Sequence, residues 1–102
     1  MSINLLQTNL NIYRNNILDI IDKLNSTYLD YEYFKSLYDF NIISYKIDLE
    51  LNKTTDINSL YINRIKTTYN LCRIHYNNLQ LEYIDLKKKI DYTQTQILGA
   101  IK

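Results

Sequence analysis

Apolar side chains recur along this chain at alternating steps of three and four residues, and that spacing constrains the fold more than any other feature. From the N-terminus the series reads Ile3, Leu6, Leu10, Tyr13, Ile17, Ile20, Leu24, Thr27, Tyr31, Phe34 and Tyr38, with Thr27 its one polar member. Such steps keep side chains on one stripe of an α-helix, and their mean of about 3.5 residues is the coiled-coil period. Continued, the series meets Asn41, Tyr45 and Asp48, so the stripe turns polar toward residue 50. A second series obeys the same rule: Ile62, Ile65, Tyr69, Cys72, Tyr76, Leu79, Tyr83, Leu86, Ile90, Thr93, Ile97 and Ala100, with Thr93 the exception.

The two series are out of phase, because steps of seven from Tyr45 arrive at Asn52 and Ser59 rather than Ile62. A break must separate them. Asn52-Lys53-Thr54-Thr55-Asp56 is polar and ends in residue types that cap a following helix. The pattern predicts a helix over about residues 3–50, a polar turn over about 52–56 and a helix over about 57–100. Short connections favour antiparallel neighbours. The expected fold is all-α: a single domain over residues 1–102, built as a long antiparallel helical hairpin with coiled-coil heptads.

Charge supports the pairing. Residues 1–52 carry seven acidic and four basic side chains, and residues 53–102 carry four acidic and eight basic, giving −3 and +4 and the overall +1. Opposite-sign arms attract modestly, and the asymmetry disfavours pairing two identical first arms.

Two local patterns compete with the hairpin. Asn25-Ser26-Thr27 could interrupt the first helix, although the seam stays in register across it. Between Ile43 and Asn52 apolar and polar residues alternate strictly, which is a strand pattern. A β-hairpin pairing residues 43–51 with 57–62 would give a prefoldin-like helix–hairpin–helix, and with it a holdase chaperone. Against it stand Lys46, Asp48 and Glu50, residue types that strands avoid.

One stripe per helix does not account for all the apolar residues. Leu5, Ile12, Tyr33, Phe40 and Ile47 repeat by sevens or multiples of seven outside the seam, as do Ile21, Tyr28, Ile42 and Leu49, and on the second arm Leu60, Ile74 and Leu81. A helix apolar on more than one side must be covered on more than one side. The hairpin is therefore expected to join a multi-helix bundle, as a homo-oligomer or an obligate hetero-complex with protein partners. The seam residues expected to carry the coiled-coil interface are Leu10, Ile17, Leu24, Tyr31, Tyr69, Tyr76, Tyr83 and Ile90. Eleven tyrosines stand beside no tryptophan, no proline and one glycine. That bias follows AT-rich codons, and Tyr serves as a large core residue whose hydroxyl seeks the margin of the seam.

Chemistry finds little purchase. Cys72 and His75 are the only Cys and His, so one chain supplies two of the four ligands a structural zinc site needs, and no metal is expected. Gly99 is the only glycine, which leaves no phosphate loop and no strained nucleophile elbow. Asp19 with Asp22 and Asp30 with Glu32 read as solvated charges. No catalytic residue and no cofactor are expected. Lys87-Lys88-Lys89 with Arg64, Lys66 and Arg73 tilts the second arm basic, yet a pI of about 7.8 falls short of the usual nucleic-acid binder. The chain shows no signal-peptide pattern and no apolar run of spanning length, so membrane insertion is not expected and the setting expected is intracellular, cytoplasmic or within a virus particle. The function these features suggest is that of a non-enzymatic structural or assembly protein.

Overall fold

A computed structural model describes residues 2–51 and 59–101. Two helices make up the fold: α1, Ile3–Glu50, and α2, Ser59–Ile101. They pack as an all-α hairpin. The polar turn expected over residues 52–56 lies outside the described residues, as do Ile57 and Asn58 of the expected strand partner.

Ser2 caps α1, its hydroxyl oxygen accepting a hydrogen bond from the Leu5 amide at 3.2 Å while its carbonyl accepts the first helical bond from Leu6 at 3.1 Å. A serine at this place satisfies amides that have no partner within the helix. The helix runs unbroken through Asn25-Ser26-Thr27. Asn, Ser and Thr are weak helix formers but not breakers, and Thr27 is held in the seam, so tertiary burial overrides propensity there.

The alternating segment is helical as well, through Glu50, with the Leu51 amide still donating to the Ile47 carbonyl at 3.0 Å. The strand reading of residues 43–50 is thereby corrected, and the prefoldin-like reading loses the strand it required. Helical burial continues the three-four series instead: Asn41, Tyr45 and Asp48 are half-buried, while Ile43, Ile47 and Leu49 face solvent. The Asn41 side-chain amide donates to the Leu37 carbonyl at 2.7 Å, which satisfies it inside its own helix.

By contacts the chain divides into two compact units. Unit 1 joins residues 1–25 to 77–102, and unit 2 spans residues 26–76. Each pairs one segment of α1 with one segment of α2. The buried core consists of Leu6, Leu10, Ile20, Ile62, Ile65 and Leu79 together with Thr27 and Thr93. All eight belong to the two three-four series, which is why spacing alone locates the core. Unit 1 is lined mainly by aliphatic seam residues. Unit 2 is aromatic: Tyr69 of α2 lies between Tyr31 and Tyr38 of α1, with ring centroids 6.2 Å and 5.3 Å away, and Tyr76 lies 5.9 Å from Tyr28. These tilted and edge-on arrangements suit the ring quadrupole. One ring of α2 thus lies against two rings of α1 that stand seven residues apart.

Candidate protein-interaction surfaces

The eight residues expected at an interface lie along the seam between the two helices. Leu10 is buried, and Ile17, Leu24, Tyr31, Tyr69, Tyr76, Tyr83 and Ile90 are half-buried. The structure places Tyr31 against Tyr69 and Tyr76 against Tyr28, so these aromatics hold the hairpin itself together. What a partner can reach lies elsewhere.

Among the described residues twenty large hydrophobic side chains are exposed, Tyr28 with its contact to Tyr76 included, against six that are buried. They are ordered rather than scattered. In unit 2, Leu29, Tyr33, Phe40, Ile43 and Ile47 of α1 form a second stripe whose steps of four and three are interrupted only by Ser36. Leu29, Tyr33 and Phe40 are 67%, 64% and 68% exposed. The positions of this stripe fall about halfway round the helix from the seam, so α1 is apolar on two opposite sides over this length. The Tyr33 ring makes an edge-on contact with that of its neighbour Phe34 at 5.2 Å.

On α2 the corresponding outer line in unit 2 runs Leu60, Arg64, Thr67, Leu71 and Ile74, all exposed. Leu60, Asn63, Arg64 and Thr67, with Thr68, line a shallow depression of about 430 Å³. Columns counted by sevens find Tyr33, Phe40, Ile47, Leu60 and Ile74. They miss Leu29, Ile43 and Leu71, which become visible only when the three-four rule is applied a second time on the far side of each helix.

Charge is distributed unevenly over the same unit. Residues 26–50 hold five carboxylates against two lysines, a net of −3, while residues 59–76 hold Arg64, Lys66 and Arg73 with no carboxylate, a net of +3. Among the described residues no ion pair joins α1 to α2. The ion pairs among the described residues are Lys23–Asp19 at 3.0 Å and Lys89–Asp85 at 3.1 Å, both within one helix, exposed and confined to unit 1. Pairs of this kind stabilise by a few tenths of a kcal/mol, roughly 0.3–0.5. The Lys89 ammonium also lies 5.9 Å from the centre of the Tyr13 ring, and Lys35 lies 6.0 Å from that of Tyr31.

A groove of about 290 Å³ in unit 1 is lined by Asn16, Asp19, Ile20, Glu82, Asp85 and Leu86. Two of its three carboxylates already hold lysine partners. Cys72 is half-buried in the seam, whereas His75, three residues on, is exposed. Burial pushes the Cys72 thiol above its ordinary value, and the Asp30 carboxylate adds to the shift. A thiol so placed is a poor nucleophile, because the thiolate is the reactive form. Among the described residues no group of three or more His, Cys, Asp and Glu could hold a metal ion, and no helix is long and apolar enough to cross a membrane. No protein-family model matches this chain, and no curated protein or solved structure matches it either.

Proposed function

We propose that this chain is a non-enzymatic structural or assembly protein that acts through coiled-coil protein–protein interaction, as the protomer of an oligomer or as a subunit of a larger helical complex such as a virus particle. One observation carries the reading: among the described residues the exposed large hydrophobics outnumber the buried ones by twenty to six, and five of those on α1 in unit 2 fall on one outer stripe at steps of three and four. Soluble monomers expose single apolar residues freely but contiguous apolar surface rarely, and such surface marks contact with another macromolecule. At roughly 25 cal/mol per Å² of apolar area removed from water, covering the stripe is a substantial driving force.

Light scattering and sedimentation test the proposal directly. The expected result is a multimer, or a chain that becomes well behaved only with its partner subunit. A folded, soluble monomer at high protein concentration would refute it.

A further inference from the structure

We infer that the outer stripe of α1 in unit 2 docks onto the outer line of α2 in unit 2 of a second copy of this chain, with Ser36 opposite Thr67. The inference rests on the assembly reading above and names its partner and its two faces.

Three observations select a second copy as the occupant. The first is charge. The α1 segment of unit 2 carries −3 and the α2 segment +3; Arg64 stands in the outer line of α2, Glu32 and Asp39 flank the outer stripe of α1, and none of these three forms an ion pair among the described residues. Pairing α1 with α1 would bring like charges together, whereas α1 against α2 brings opposite ones, which sets specificity and register.

The second is the match of the two lines, residue by residue. Each has one small hydroxyl side chain at its centre, Ser36 or Thr67, with larger residues on either side. If the facing helices run parallel, Leu29 meets Leu60, Tyr33 meets Arg64, Phe40 meets Leu71 and Ile43 meets Ile74. If they run antiparallel, the same centre sets Leu29 against Ile74, Tyr33 against Leu71, Phe40 against Arg64 and Ile43 against Leu60. In both cases Arg64 faces an aromatic ring that follows a carboxylate, Glu32 before Tyr33 or Asp39 before Phe40. A guanidinium gains from both neighbours at once.

The third is shape. Leu60, Asn63, Arg64 and Thr67 stand at i, i+3, i+4 and i+7, the four corners of a coiled-coil hole, and they line a real depression. With Ser36 opposite Thr67, the knob over that hole is Tyr33 in one direction and Phe40 in the other. The five apolar side chains of the α1 stripe leave on the order of 600 Å² in solvent, most of the 800 Å² or so that each partner gives up in a standard interface. Polar residues at its rim supply the remainder.

The two faces lie on opposite sides of the same unit, so the contact is heterologous. Every copy offers one face and accepts on the other, and the association closes into a ring or grows as a filament.

Cysteine pairing tests the assignment on the full chain. In a Cys72→Ser background, Ser36→Cys and Thr67→Cys chains are oxidised separately and after refolding together from urea. Both sites are exposed, and circular dichroism verifies that the helices are retained. Covalent dimer is expected from the mixture and not from either variant alone. Self-cross-linking of Ser36→Cys, or a mixture no richer in dimer than its components, overturns the inference. Phe40→Asp gives an independent measurement. It should leave helicity intact and raise the dissociation constant about 30-fold or more, as loss of an aromatic anchor does. Unchanged association would again overturn the inference. A chain that assembles by light scattering yet fails these tests loses this pairing and keeps the assembly role; a chain that stays monomeric loses both.

Discussion

The Tyr69 ring of α2 packs 5.3 Å, centroid to centroid, from the Tyr38 ring of α1, at an interplanar angle of 49°. Tyr31 approaches the same ring from the other side at 6.2 Å, so one side chain ties two turns of α1 to α2. Truncating it removes ring contacts and leaves a gap in the seam of unit 2. Tyr69→Ala is expected to destabilise the chain by roughly 2–4 kcal/mol, with Tyr69→Phe costing less than about 1 kcal/mol, since the ring stays. Urea unfolding followed by circular dichroism reads both. Equal effects of the two substitutions would show that the hydroxyl and not the ring matters.

Tyr76 holds the next aromatic contact toward unit 1, against Tyr28 at 5.9 Å. Tyr76→Asp removes the ring contact with Tyr28 and sets a carboxylate in the half-buried seam, where ionisation is penalised. Loss of helical signal at ordinary temperature is the expected outcome. The same substitution at exposed Leu81 should leave the signal unchanged, and a variant at Tyr76 that melts like the parent would contradict the seam assignment.

Thr93 is 5% exposed and makes no side-chain hydrogen bond among the described residues, unlike Thr95, which donates to the Asp91 carbonyl at 2.9 Å. No buried side-chain oxygen or nitrogen among the described residues lacks a partner, so the Thr93 hydroxyl still reaches solvent at the margin of the seam. Thr93→Val keeps the shape and puts a second methyl group into the seam, worth about 0.8 kcal/mol. A higher unfolding midpoint is expected in thermal denaturation; a lower one would mean that the hydroxyl's own contacts outweigh the added methyl.

Gly99 lies within α2, and a Cβ built on it meets nothing within 4 Å. Alanine there reduces the freedom of the unfolded chain without any clash. Gly99→Ala should stabilise by about 0.5 kcal/mol, the lower end of the usual range because the position is two residues from the end of the helix. No change in midpoint would indicate that this last turn is frayed.

The Cys72 thiol titrates above its ordinary value because it is partly buried and lies near the Asp30 carboxylate. Alkylation rates measured across pH should rise with a midpoint above that of a free cysteine peptide, and a midpoint equal to the peptide's would contradict the placement. Since the fold favours the neutral thiol, its contribution to stability is complete below the unfolded chain's thiol value and is lost as pH climbs through the folded one. Cys72→Ser should be mild. It abolishes that alkaline dependence and leaves the helices in place.

Much of this was legible from the residues. The three-four series marked every buried position among the described residues, including the two threonines that break its apolar character, because a helix paired with another helix can bury only residues that return to the same side. The continuity of α1 through Asn25-Ser26-Thr27 was legible for the same reason. Residues 43–50 were not, since their alternation satisfies a strand as well as Asn41, Tyr45 and Asp48 satisfy a helix. What decides between them is whether a partner strand or a partner helix lies alongside, and that information is nonlocal.

By itself the sequence determined that there are two helices, which stripe of each turns inward, and that apolar residues remain over. Periodicity is a property of order along the chain, and these facts depend on nothing else. Only the tertiary structure decided that the aromatic seam residues bind one another within the chain, and that Leu29, Tyr33, Phe40, Ile43 and Ile47 stand together outside it. Which ring meets which, and which apolar side chain is left uncovered, follows from the register in which α1 lies against α2, and that register exists only once the two are packed.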